Sequence, residues 1–436
     1  MLSFDRTIAA SAPKVFRYSG QDRGEHPGSG RSRVECGPSR LDCFRCRLGA
    51  RVNGHSMKIA LVHDWLDTWR GGESVLAELC RMYPEADLYA LVDFLGRIDR
   101  EKLDGRRAVT SFLQRVPFAR THFRAFLPLF PRAIESLDVS RYDIVISSSH
   151  AVAKGVRTHS RQLHICYCYT PMRYAWDLQD QYLAQVGLAK GLRGWLARKM
   201  LARLRTWDRD TSARVNDFVA ISQHVADRIR RCYKRESSVI YPPVAVAANG
   251  RMTAEPRDGA YVTVSQLVPY KRVDLIVEAF RSLPDRELIV IGEGPENARI
   301  QAMAGSNVRL LGRVPDHERD TSLARARAFV FAAEEDFGIA PLEAQGRGTP
   351  VIAFARGGSS ETIRGLDDPS PTGVLFDEQT ASSIAQAVRT FETHEARILP
   401  DACRENAARF SVTRFRNEFG NLVQARWQAF DARTKP

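Results

Sequence analysis

Two carboxylates eight residues apart offer the first chemistry in this chain. Glu335 and Glu343 enclose Asp-Phe-Gly338-Ile339-Ala-Pro-Leu, just after an apolar run that ends at Phe331. If a helix begins near Gly338, Glu335 lies just before it and Glu343 one turn beyond Ile339, on the same face. Gly338 lets a ligand approach the backbone closely. The free N–H groups of a helix start hold phosphate, helped by the helix dipole. A carboxylate on the face below accepts hydrogen bonds from vicinal hydroxyls. These are the groups that a ribose and a hexose flanking a diphosphate require. The plainer alternative is one acid complementing the dipole and a second acid in solvent.

Neighbouring motifs supply more. Ser265-Gln266-Leu-Val-Pro-Tyr-Lys271-Arg272 follows a strand pattern and leads into a helical one, which places Lys271 to meet phosphate. Ile291-Gly292-Glu-Gly294-Pro295 is a glycine-rich strand-to-helix turn, and Gly357-Gly358 is another. All these turns stand at the carboxyl ends of strands, where open α/β sheets place ligands. In the first half, Gly71-Gly72 enters a helix after the strand Ile59–Val62. His150, Tyr169, Arg173 and Asp177 also follow strands and so line the same kind of cleft, the last three expected on its acceptor side. His150 is a polar group available near a reacting sugar, or a structural histidine; both readings stand at this level.

The elements that must position these residues read as short apolar strands alternating with amphipathic helices. Strands are expected at Ile59–Val62, Asp87–Val92, Ile144–Ser147, Leu163–Cys168 and Phe218–Ala220. A second series covers Tyr261–Val264, Leu288–Ile291, Val308–Leu311, Ala328–Phe331 and Val351–Ala353. Helical patterns lie between them, among them Glu73–Met82, Val273–Ser282, Glu296–Ala302, His317–Ala324 and Pro341–Arg347. Such alternation predicts parallel sheets, and two series predict two doubly wound α/β domains. Pro242-Pro243 and the strand-poor stretch to Gly259 mark the linker.

The motif Glu335-Asp-Phe-Gly-Ile-Ala-Pro-Leu-Glu343, followed by Ala344-x-x-x-Gly-x-Pro-Val351, resembles that of the retaining glycosyltransferases of group 1. The resemblance covers about Met57 to the C-terminus. It implies a GT-B fold, two Rossmann-like domains facing a central cleft. The boundaries it implies are 57–243 on the acceptor side, 244–405 for nucleotide sugar, and 406–436 as a helix that crosses back to the first domain. It implies that Glu335 meets the sugar hydroxyls, that backbone at Gly338 and Ile339 meets sugar and phosphates, and that Glu343 holds the ribose. Two positions depart from the family. Gln266 stands where an Arg usually precedes Lys271, and Arg272 either compensates or does not. Tyr169 stands where many members carry His. The first half resembles a bacterial subgroup that adds mannose or related sugars to surface polysaccharides. A polyprenyl-diphosphate-linked or oligosaccharide acceptor follows from that, as does a GDP- rather than UDP-linked donor. Neither a cofactor nor a metal is expected.

Composition narrows the partners. The chain has 436 residues, a net charge of +13 and 44% hydrophobic residues, which suits folded domains and anionic partners. No apolar run is long enough to span a bilayer. The segments Gly187–Arg214 and Phe112–Phe130 are basic and aromatic: a peripheral contact with the inner face of the cell membrane, or a solvated face beside the cleft. No nucleic-acid motif accompanies the charge. The eight cysteines suit a reducing cytoplasm. Cys43 and Cys46 have C-x-x-C spacing near Cys36, His26 and His55, but no second pair completes a zinc site. A nucleotide-sugar epimerase of similar shape and an inactive binding subunit are the rival functions.

Residues 1–56 show no sustained period and are rich in Arg, Ser, Gly and Pro. They are either a disordered tail or an extension upstream of a natural start at Met57. A chain beginning at Met57 is expected to fold and to bind nucleotide sugar as the full chain does. Loss of solubility or of binding on that truncation would place the tail inside the fold.

Overall fold

The computed structural model describes residues 57–177, 179–185, 187–245 and 259–434. The tail with its cysteines and histidines, and most of the expected linker, lie outside these residues.

Seven parallel strands form the first sheet: β1 (Ile59–His63), β2 (Asp87–Ala90), β3 (Val109–Thr110), β4 (Ile144–Ser149), β5 (Leu163–Cys168), β6 (Asp217–Ala220) and β7 (Ser237–Val239). Their order is β3-β2-β1-β4-β5-β6-β7. Six more form the second: β8 (Tyr261–Val264), β9 (Leu288–Ile291), β10 (Val308–Gly312), β11 (Ala328–Phe331), β12 (Val351–Phe354) and β13 (Gly373–Phe376), in order β10-β9-β8-β11-β12-β13. Central strands such as β1, β4 and β11 are buried along their whole length, as apolar runs covered by helices on both faces must be. In each sheet the strand order reverses next to the first strand, between β1 and β4 and between β8 and β11. Crevices open at these reversals, at the carboxyl ends of the strands.

Six helices matter for the site: α1 (Gly71–Met82), α2 (Gly191–Thr211), α3 (Gln223–Tyr233), α4 (Val273–Arg281), α5 (Ile339–Gly346) and α6 (Val412–Thr434). Val75, Leu76, Leu79 and Cys80 give α1 its buried stripe, and its start is fixed by Glu73, which accepts from the Arg70 N–H at 2.9 Å. The chain passes to the second sheet beside Val244, whose N–H donates to Phe410 O at 2.9 Å. From there α6 returns to the first sheet. Phe415 and Phe419 pack edge-on against Tyr167 at 5.6 and 5.7 Å, and Arg416 pairs with Glu78.

Three strands fall outside the sequence expectation. β3 has two residues, and β7 is a half-buried Ser-Ser-Val edge. β13 opens on Gly373, where a Cβ would overlap the Val351 carbonyl oxygen; the glycine serves close strand pairing, yet in sequence it reads as a turn. The expected strand Asp87–Val92 ends at Ala90, and Ile144–Ser147 runs on to Ser149.

Lys154, in the run that also carries His150, is buried inside the first domain. Its Nζ meets Asp208 Oδ1 and the Asp208 carbonyl, both at 2.7 Å. Trp176 Nε1 and Tyr233 OH donate to Asp208 Oδ2 at 2.8 and 2.9 Å. Removing one partner of such a pair strands the other charge. Lys154→Met is therefore expected to lower unfolding stability by about 3–5 kcal/mol. The measurement is a urea unfolding midpoint at unchanged slope. A midpoint within error of wild type would show that the pair contributes nothing net.

Candidate functional site

The second domain supplies a charged pair at the β8–β11 reversal. Lys271 ends a tight turn, Pro269–Lys271, after β8, and Arg272 follows in the left-handed region at φ 53°. The Lys271 ammonium contacts the Glu335 carboxylate on the loop after β11. Burial brings the Lys271 pKa down to about 8; Arg173 adds to the fall and Asp336 opposes it.

Glycines hold the Glu335 loop flush with its neighbour. A Cβ on Gly357 would overlap the Glu335 carbonyl, and one on Gly358 the Phe337 carbonyl. Gly358 N–H donates to Glu335 O at 2.7 Å. Gly338 turns the chain into α5 at φ 85°. Glu343 lies one turn into α5, where burial raises its pKa against the pull of Arg319 and Arg347. Gly292 and Gly294 leave room for the carbonyls of Ser265 and Leu267 in the same way, so their first duty is packing two turns together.

The first domain faces this loop. A Cβ on Gly71 would lie 2.8 Å from Ile339 Cδ1, so the starts of α1 and α5 nearly touch across the cleft. Tyr169 OH donates to Gly72 O at 3.0 Å and is joined to Ser148 Oγ at 2.8 Å, which in turn meets His63 Nδ1 at 3.0 Å. The phenol is thereby tied to the backbone of α1. His150, partly exposed, places Nδ1 2.9 Å from Asp64 Oδ2. Asp64 is wholly buried and accepts from four backbone N–H groups, those of His150, Ala151, Val152 and Ala153, at 2.6–3.1 Å. Burial alone would raise its pKa; the charge and hydrogen bonds of His150, with His63, outweigh it and hold the carboxyl well below its usual range. Burial likewise opposes the charged form of His150, but Asp64 and Glu73 raise its pKa above the ordinary value.

Not every expected residue gathers here. Gln266 is exposed. The Arg272 guanidinium is taken by Asp274 at 3.2 Å and Gln379 at 3.4 Å. The second cation beside Lys271 comes instead from the other domain: Arg173 and Lys271 lie 5.5 and 5.4 Å from the Tyr270 ring centroid. Asp177, expected on the acceptor side, is paired with Arg228 at 2.5 Å and Arg231 at 3.2 Å. It holds Arg228, which reaches Asp336 at 2.6 Å, next to Glu335. The sequence reading missed Asp64, Asp336 and Glu361. Glu361 caps α3 from across the cleft, accepting from the N–H groups of Gln223 and His224 at 2.7 and 2.9 Å. An acid directly after a buried strand was a signal for Asp64; nothing in the sequence pairs Glu361 with a helix 137 residues away.

Known proteins share this fold. Residues 253–410 match the family described as glycosyl transferases group 1, and residues 69–248 match glycosyltransferase family 4. The sulfoquinovosyl transferase of Arabidopsis thaliana is 24% identical over 73% of this chain and 64% of its own. A GDP-mannose-dependent phosphatidylinositol monomannoside mannosyltransferase of Corynebacterium glutamicum is 28% identical over 39% of this chain and 51% of its own. This chain thus spans less than two thirds of the length of these relatives. Among solved structures, Anabaena HepE in complex with UDP superposes with a TM-score of 0.61 at 15% identity, over 85% of this chain and all of that one. The sucrose-phosphate synthase of Thermosynechococcus elongatus does so with a TM-score of 0.60 at 19% identity, over 86% and 100%. With two parallel sheets of GT-B topology and consecutive matches over both, the chain belongs to the group 1 glycosyltransferase family.

Proposed function

We propose that this protein moves a hexose, with mannose favoured, from a nucleotide diphosphate sugar to a lipid-linked or oligosaccharide acceptor in polysaccharide assembly, retaining the anomeric configuration. The observation that carries the reading is the meeting of Lys271 and Glu335 beside the start of α5. A cation, a carboxylate and free helix N–H groups then share one crevice, as a sugar diphosphate demands. Glu343, one turn on, takes the ribose hydroxyls. The GDP-mannose-dependent relatives support a mannosyl donor, and the HepE complex with UDP-glucose supports a nucleotide-sugar donor in a protein of the same fold.

The residues divide the work as follows. Lys271 and Arg173 neutralise charge on the departing diphosphate, which grows as the glycosidic bond breaks. Glu335 exchanges its lysine for hydroxyls of the hexose. His150, its Nδ1 held by Asp64, presents its other ring nitrogen to the sugar from the opposite domain. The acceptor hydroxyl approaches the face that the diphosphate leaves, and closure of two domains aligns the substrates.

Three substitutions separate these roles. Glu343→Ala is expected to weaken nucleotide diphosphate binding on the order of ten- to a hundredfold, the worth of one or two charge-assisted hydrogen bonds. Lys271→Ala falls mainly on turnover. Glu335→Ala weakens the sugar donor more than the bare nucleotide diphosphate. Calorimetry with GDP, UDP and their sugars, together with turnover rates, reads all three. Folded variants that keep wild-type affinity and rate would overturn the site.

The raised Glu343 pKa adds a pH signature. The ionised carboxylate is the acceptor, so nucleotide affinity is expected to fall as pH drops through a value above the ordinary 4.5. Glu343→Gln should flatten that dependence. A profile unchanged by the substitution would remove Glu343 from the ribose.

A further inference from the structure

Two stretches far apart in the sequence lack acidic residues altogether. Residues 105–134 hold six arginines, and residues 181–207 hold four arginines and two lysines. The fold brings them together around one groove. Pro128 and Pro131 form one wall; Leu196, Met200, Leu204 and Trp207 of α2 form the other. Steps of four, four and three keep those side chains on one helix face. The cavity measures about 330 Å³. At about 30 Å³ for a water-sized group, it holds roughly ten such groups in a row or cluster.

Lys199 and Arg203 stand on its rim, again four residues apart. Among the described residues neither has a carboxylate in ion-pair reach: Lys199 lies over the Trp195 ring at 5.1 Å. Glu135, which accepts from Trp207 Nε1, is already occupied by Arg157 and Arg214. On the same helix, large apolar side chains face solvent: Leu192 is 74% exposed, Trp195 55% and Leu196 47%.

An apolar slot, a cationic rim and exposed Leu and Trp side chains beside it match the chemistry of a bilayer surface with anionic headgroups. A protein interface core is depleted in lysine, and a nucleic acid gains nothing from an aliphatic slot. We propose that this face docks on an anionic phospholipid bilayer, with one hydrocarbon chain in the groove and its phosphate between Lys199 and Arg203. No groove residue belongs to the donor site, so the two readings fail separately.

The test is co-sedimentation of the full chain with vesicles of phosphatidylcholine, with and without phosphatidylglycerol. Anionic vesicles should bind at low salt and neutral ones should not, since screening and headgroup charge both act on the rim. Leu196→Glu, and separately Lys199→Glu with Arg203→Glu, are each expected to lower binding at least tenfold. Arg389→Glu, an exposed charge on the second domain, should leave it near wild type. Nucleotide binding by calorimetry certifies the fold of each variant. Equal binding to both vesicle types, no binding, or an equal loss from Arg389→Glu would overturn the proposal. So would a dimer in lipid-free buffer that Leu196→Glu turns into a monomer, because a second copy would then cover the groove.

Discussion

The site depends on how closely two helix starts can approach. The first turn of α1 and the first turn of α5 belong to different domains, and a Cβ at Gly71 would stand 2.8 Å from Ile339. A side chain there would push the domains apart at the proposed donor site. The other glycines serve the same end from behind. Gly338 turns the chain into α5, and Gly357 with Gly358 lets the Glu335 loop lie flat on its neighbour. Loss of space at any of these positions would move the helix N-terminus, and a displacement of 1 Å is enough to spoil alignment of two substrates.

Electrostatics fix what the glycines permit. Asp336 is gripped from the first domain by Arg228 at 2.6 Å and Arg173 at 3.6 Å, while Ser222 donates to its carbonyl at 2.5 Å. Its neighbour Glu335 thus reaches Lys271 from a loop anchored across the cleft. Glu361 adds a second anchor by capping α3, a favourable place for an anion at a helix start. These contacts couple the relative position of the domains to the position of the one carboxylate assigned to the hexose.

The first domain solves a different problem. It must hold charge where water is absent. Asp64 is satisfied by four backbone N–H groups and His150, and Lys154 by Asp208, which also accepts from Trp176 and Tyr233. Buried charge is tolerated only with such full pairing. The two pairs have different ends. One leaves a histidine at the cleft; the other closes the core behind it. In sequence His150 and Lys154 sit in the same run and look alike.

That similarity marks the limit of what sequence by itself determined. Apolar runs alternating with helical stripes were enough for two parallel α/β domains, because period and burial are local properties of a strand or helix. Glu335, Gly338 and Lys271 were legible as candidates because each lies in the turn that follows a strand end, where topology puts ligands, and Glu343 because it falls one helical turn beyond Ile339. Tertiary structure alone decided the partners. It gave Lys271 its neighbouring cation from Arg173 rather than Arg272, and turned Asp177 toward Arg228 and Arg231. It also joined Asp64 to His150 and Glu361 to the start of α3. Each of these is a pairing between residues tens to hundreds of positions apart. Spacing along a chain carries information about which residues share an element; which charges meet depends on how the elements cross, and that is set by packing of the whole.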